Sequence, residues 1–177
     1  MKRVTYLARL KAQNVRIVRS VSLEPSRSVN VIVGGNGSGK TSLLEAIYLL
    51  GLGRSFRTRH AHEVITHGEV ELLAFGEIIN AEGHRETIGV QKSRGTSRVR
   101  LSGEDVRNAS RLASLMPVLL ITPESQQLLN QGARYRRRLI DWALFHVEPK
   151  YFELLNRYRQ ALRQRNALLK NGQRTGT

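Results

Sequence analysis

The chain has 177 residues, with 29 Lys and Arg against 14 Asp and Glu, a formal net charge of +15 and a pI near 11.3. It contains no cysteine, which excludes disulfides and thiolate metal sites and suits a reducing compartment. An apolar fraction of 40% excludes wholesale disorder, and so large a cation excess favours polyanionic partners, nucleic acid first.

No apolar run approaches the ~20 residues of a membrane span, and the basic start Met1-Lys2-Arg3 is not followed by an apolar signal core. The expected location is cytoplasmic, with no membrane partner. The charge is uneven: residues 126–177 hold 11 basic and three acidic side chains.

Residues 4–10 place Val4, Tyr6, Ala8 and Leu10 on one face at period two, which predicts a half-buried strand. Short β-like runs follow at 15–18 and 21–23, and Pro25-Ser26-Arg27-Ser28 makes a turn. Residues 29–33, Val-Asn-Val-Ile-Val, show little polar alternation and predict a strand covered on both faces.

That run enters Gly34-Gly35-Asn36-Gly37-Ser38-Gly39-Lys40-Thr41, which fits the phosphate-loop pattern in its required strand-then-helix setting. Glycines let the backbone wrap closely round phosphate oxygens, and the freed N–H groups form an anion nest at a helix N-terminus. Lys40 can reach the β- and γ-phosphates, and the Thr41 hydroxyl can ligate Mg²⁺. A glycine-rich turn with a solvated lysine is the plain alternative, and the flanking pattern disfavours it.

Beyond the loop, Leu43, Leu44, Ile47 and Leu50 predict a helix closing at Gly51. Gly53-Arg54-Ser55-Phe56-Arg57-Thr58-Arg59 is a basic segment, in which Arg54 and Arg57 are candidate contacts to nucleotide or DNA. Residues 64–101 read as a β-meander with strands near 72–79, 87–90 and 97–101. Val106, Ala109, Ala113 and Met116 predict a helix ended by Pro117, and residues 118–121 predict a second buried strand.

The character then changes. A short polar helix is expected over 124–130, and an amphipathic one over 134–146. A last helix starts near Tyr151, with a roughly heptad stripe of Tyr151, Leu155, Tyr158, Leu162 and Leu169. Arg134, Arg136, Arg137 and Arg138 crowd a first helical turn, where the helix dipole disfavours cations. Contact with DNA phosphates is the reading preferred over a solvated basic face. The five histidines show no metal-ligand spacing.

Asn36 within the loop and Ser42-Leu43-Leu44-Glu45-Ala46-Ile47 after it resemble the SMC-like branch of ABC-type ATPases. Four blocks resemble the RecF family of bacterial recombination mediators in order and spacing: Gly53-Arg54-Ser55-Phe56-Arg57, Leu120-Ile121-Thr122-Pro123-Glu124, the Tyr135-Arg136-Arg137-Arg138-Leu139-Ile140-Asp141-Trp142 stretch and residues 162–169. The chain departs at Ala12-Gln13-Asn14, where the family has aromatic-Arg-Asn.

The resemblance implies an α/β fold: a P-loop half-head of ABC type, with a mixed parallel sheet and an antiparallel β-meander, followed by the start of a helical lobe. The expected division is 1–125 for the ATP-binding lobe and 126–177 for a basic, helical lobe. Implied ligands are ATP with Mg²⁺ and single- and double-stranded DNA. Implied partners are RecO and RecR, for loading RecA at gaps and junctions, and a second copy in an ATP-dependent homodimer of the full-length protein.

ABC-type heads also need a signature helix, a strand ending in Asp-Glu and a switch His. Leu101-Ser102-Gly103-Glu104-Asp105 imitates the signature but reads better as a hairpin end. Thr122 stands where the metal-binding Asp would be. These parts are expected C-terminal to the present residues, so binding without appreciable hydrolysis is the expectation. A complete small P-loop phosphotransferase, or a DNA-binding module with a vestigial loop, are the alternatives.

Overall fold

The computed structural model describes residues 5–106, 109–123, 132–148 and 150–172. These fall into two compact units, Met1–Leu120 and Ile121–Thr177.

The first unit is built on one six-stranded antiparallel sheet in the order β2-β1-β3-β4-β5-β6. Its strands are β1 (Tyr6–Val15), β2 (Val18–Leu23), β3 (Glu71–Ile79), β4 (Arg85–Ser93), β5 (Ser97–Leu101) and the two-residue β6 (Glu104–Asp105). Two strands at the centre of the sheet obey period two: on β3, Leu72, Ala74 and Ile78 point inward, and on β4, Ile88 and Val90. On β1 the alternation slips. Leu7 pairs with Ile78 but Arg9 pairs with Glu77, leaving Ala8 as an extra residue. This bulge carries Leu7 to the same face as Leu10 and Ala12, so the uninterrupted Tyr6, Ala8, Leu10 face expected above does not persist.

One face of the sheet is covered by α1 (Lys40–Leu52) and α2 (Ala109–Leu115). Leu50 and Leu112 pack with Leu10, Ile78, Ile88 and Val90, while Ala46 and Leu49 pack with Val15, Val64 and Leu72. The helix α1 is rotated from the expected face: Leu44 is exposed, whereas Ser42 and Glu45 are buried. It also runs past Gly51. Its left-handed C-terminal residue is Gly53 (φ 64°), whose N–H reaches the Leu49 carbonyl at 2.7 Å. Gly51 lies inside the helix, where a Cβ would stand 2.4 Å from Val118 Cγ2 and 3.0 Å from the Met116 carbonyl oxygen.

The two parallel strands expected at 29–33 and 118–121 do not form. Among the described residues neither segment has a ladder partner. Val29, Val31 and Val33 are 80%, 78% and 84% exposed, and Ile121 is 79% exposed. A parallel strand exists only beside another strand, so apolar composition could not create one here.

The second unit contains α3 (Gly132–Val147) and α4 (Tyr151–Gly172). The Tyr151 hydroxyl donates to Asp141 Oδ1 at 2.6 Å, Arg159 lies 3.4 Å from Oδ2, and the Phe145 and Phe152 rings meet edge-on at 5.5 Å. Of the predicted stripe, Tyr151 and Leu155 are half-buried, while Tyr158, Leu162 and Leu169 are exposed. The polar helix expected over 124–130 lies outside the described residues. No described helix is long and apolar enough to cross a membrane.

The approach at Gly51 gives a test. Alanine in an exposed helix interior is normally favoured over glycine by about 1 kcal/mol, but overpacking costs typically 1–3 kcal/mol. Gly51→Ala should therefore lower stability, read as a smaller urea midpoint at unchanged slope. A rise would contradict the close contact with Val118.

Candidate nucleotide and polyanion site

The glycine-rich turn between residue 33 and α1 gathers the predicted phosphate-binding residues in one exposed loop. Gly37 (φ 77°) and Gly39 (φ 97°) occupy the left-handed region, which a Cβ disfavours. At Gly39 a second constraint applies, because an added Cβ would lie 3.0 Å from Val18 Cγ2. The β1–β2 hairpin thus crosses directly against the loop's last glycine.

Gly39 is the N-cap of α1 and offers no side chain to the first helical N–H groups, and no acidic residue sits in the first turn. Those donors and the positive end of the helix dipole remain open to an external anion. The Lys40 ammonium folds back over the loop, donating to the carbonyl oxygens of Gly34 and Gly35, each at 2.7 Å. Among the described residues it has no carboxylate partner. Carbonyl dipoles hold a cation less strongly than a polyphosphate would. Thr41 is exposed at the first turn, while Ser42 turns inward.

Sequence reasoning did not anticipate the role of Glu45. It is 0% exposed and lies on the second turn of α1. Arg16 grips it through two bonds, Nε to Oε2 at 2.9 Å and Nη2 to Oε1 at 3.1 Å. Ser55 Oγ donates to the same Oε1. Arg16 adopts φ 56° in the two-residue turn between β1 and β2, a position where such hairpins favour Gly, Asn or Asp. Its N–H donates to the Val64 carbonyl at 2.7 Å and its Nη1 to the Glu63 carbonyl. Asn14 also has φ 56°, and its Nδ2 donates to the Glu71 carbonyl at 3.2 Å. The signal for this cluster was present but indirect: an acid within an otherwise apolar helix requires a partner when buried.

Ser55 also organises the basic segment. Its Oγ accepts from the backbone N–H of Arg57 at 2.9 Å and of Thr58 at 3.2 Å. The neighbouring Phe56 ring meets Tyr48 of α1 edge-on at 5.3 Å. Arg54, Arg57 and Arg59 are exposed on this anchored segment. In α3, Arg137 is exposed; the side chains of Arg134, Arg136 and Arg138 lie outside the described residues.

The signature look-alike is a hairpin end. β5 closes at Leu101, Ser102 (φ 48°) and Gly103 (φ 89°) make the turn, and β6 returns. Asp105 is engaged by Arg98 at 2.7 Å and Arg100 at 3.1 Å. The Arg98 hydrogen bond first, then that of Arg100 and the charges of both arginines, hold its carboxyl at about 2. It is therefore an ion-paired strand residue, not the opening of a helix. His60 and His62 have rings 5.7 Å apart, and no group of acids and histidines among the described residues is arranged to hold a metal.

The family model described as RecF/RecN/SMC N terminal domain matches residues 6–175. The chain belongs to this family. It is 44% identical over 167 residues to the DNA replication and repair protein RecF of Stutzerimonas stutzeri (strain A1501), covering 94% of this chain and 45% of that protein. The chain therefore spans about half the length of the curated relatives it matches. Its fold is similar to a solved structure of the recombination mediator RecF with ATP, from the RecFOR pathway. The TM-score there is 0.81 at 28% identity, covering 95% of this chain and 47% of that one. A solved structure from a study of SMC ATPases shares the fold, with TM-score 0.64 at 18% identity over 78% of this chain and 99% of that chain. The α/β fold is that of the RecF and SMC ABC-type ATPases, and within the described residues its sheet is wholly antiparallel.

The left-handed Gly39 yields a stability test. Gly39→Ala should cost about 1–2 kcal/mol from its backbone conformation alone. The midpoint of chemical unfolding measures this, and an unchanged midpoint would mean that the loop relaxes freely.

Proposed function

We propose that this chain is the ATP- and DNA-binding part of a RecF-type recombination mediator acting in DNA repair and replication. The observation that carries the reading is the uncapped N-terminus of α1 behind Gly39, with Lys40 held only on loop carbonyls. The RecF relatives and the ATP-containing RecF structure support the same assignment.

In this reading Gly34, Gly35, Asn36, Gly37, Ser38 and Gly39 wrap the triphosphate with backbone N–H groups, and Lys40 neutralises its β- and γ-oxygens. Thr41 suits Mg²⁺ because its hydroxyl is exposed one residue beyond Lys40. The ion would screen phosphate charge. Glu45, the acid of α1, is committed to Arg16 and Ser55 and does not serve as a base for water. Binding should exceed turnover in this chain.

DNA, single- or double-stranded, would be held through Arg54 and Arg57 and through α3, which carries Arg134, Arg136, Arg137 and Arg138. Residues 1–125 would form the nucleotide lobe and 126–177 the start of a basic helical lobe. Action at gaps and junctions with RecO and RecR to load RecA, ATP-dependent pairing of two copies, and a cytoplasmic location complete the proposal.

Calorimetric titration with Mg-ATP should show one site, and Lys40→Ala should weaken it at least tenfold, through loss of the phosphate-facing cation. An unchanged affinity would remove the site assignment, and transfer of phosphate to a nucleoside monophosphate would favour a phosphotransferase instead. Duplex affinity should fall linearly in log–log terms with salt, by about 0.9 per phosphate contacted. A flat dependence would remove the DNA reading.

A further inference from the structure

Glu45 and Tyr48 stand three residues apart on α1, and so on one side of the helix. Each takes the next residue of the basic segment in turn: Glu45 receives the Ser55 hydroxyl, and Tyr48 receives the Phe56 ring. Ser55 in turn holds the backbone N–H groups of Arg57 and Thr58. The same carboxylate also receives Arg16, which ties in the β1–β2 hairpin, whose Val18 lies against Gly39. One buried carboxylate therefore connects the hairpin against the phosphate loop, the helix that follows that loop, and the turn carrying Arg57. None of Arg16, Glu45 or Ser55 belongs to the phosphate-contacting set.

We propose that Arg16, Glu45 and Ser55 form a positioning clasp that holds Arg54, Arg57 and Arg59 as a preorganised anion-binding row along α1, and that its ligand is the phosphate backbone of duplex DNA. This rests on the DNA-binding reading above. Two features favour a binding row over a merely solvated face. The three arginines are exposed and have no ion-pair partner among the described residues, unlike Arg9, Arg85, Arg98 and Arg100 elsewhere in this unit. The segment that bears them is anchored by a polar bond to a fully buried acid and by an aromatic contact, which a solvated linker does not require. A row fixed before binding loses less side-chain and loop freedom on meeting phosphates, so the clasp acts on affinity without touching DNA.

The test uses the 177-residue chain with a fluorescein-labelled duplex, and compares Ser55→Ala, Ser55→Thr, Arg57→Ala and Arg137→Ala. Because removing Glu45 itself risks unfolding, Ser55 is the informative position. Ser55→Ala should leave Mg-ATP affinity within about twofold and weaken duplex binding about tenfold at low salt, with a salt slope shallower by about one contact. Ser55→Thr keeps the hydroxyl and should restore both.

Ser55→Ala and Arg57→Ala together should be little weaker than either alone, since both act through one row. Ser55→Ala with Arg137→Ala should combine multiplicatively. A purely structural role for Ser55 would leave both pairs additive and the slope unchanged, and that result overturns the clasp. If Arg57→Ala weakens duplex binding while Ser55→Ala does not, the clasp fails and the DNA reading stands. If Arg57→Ala leaves duplex binding and its slope unchanged, the row is not a DNA site and the proposal fails with it.

Discussion

A single buried carboxylate joins the β1–β2 hairpin, α1 and the basic segment of the first unit. Glu45 is fully enclosed, and an isolated charge in such a place would be untenable. Its cost is offset by a two-bond grip from Arg16 and a hydroxyl from Ser55. Removing one partner of such a pair typically costs about 3–5 kcal/mol, far more than the pair's net contribution over an apolar substitute. The pair is therefore better understood as fixing geometry than as adding stability. Arg16 accepts a left-handed backbone in order to reach it, a conformation costing roughly 1–2 kcal/mol in a non-glycine residue.

Around that constraint the phosphate loop is presented rather than buried. The sheet's inner face is covered by α1 and α2, so the apolar side of α1 is committed to Leu10, Val15, Leu72 and their neighbours. The helix N-terminus is left projecting, with its donors free and Lys40 resting on Gly34 and Gly35. Glycine at position 51 lets Val118 approach, and glycine at position 76 leaves room for Leu50, where a Cβ would come within 2.7 Å of Leu50 Cδ1. Each glycine thus serves a different need: backbone conformation at Gly37 and Gly39, space for the segment after α2 at Gly51, and helix–sheet space at Gly76.

Pattern reading succeeded where the determinants were local. The start of α1, the meander strands and the two C-terminal helices all rest on spacing, turn residues and periodicity, and each is found within a few residues of its expected place. It failed where a second element decides. Residues 29–33 and 118–121 are apolar enough for buried strands, yet strand formation depends on a neighbour to complete the ladder. The alternation of β1 was broken by a bulge set through pairing with β3. The end of α1 moved from Gly51 to Gly53 because two glycines compete, and only tertiary contact with Val118 assigns the first to the helix interior.

The amino-acid sequence by itself determined the family and carried the pattern on which the proposed ligand class rests, because close approach to phosphate demands glycines, a lysine and a hydroxyl at fixed local intervals. It also determined the cation excess on which the proposed polyanion preference rests. Only the tertiary structure decided that Glu45 is the hub, that Arg16 from a distant hairpin is its counter-ion, and that Ser55 carries the basic segment onto the same helix. Those pairings join residues 29 and 10 positions apart in the chain. No local period encodes such a meeting, which arises only when hairpin, helix and loop fold onto one carboxylate that cannot remain unpaired.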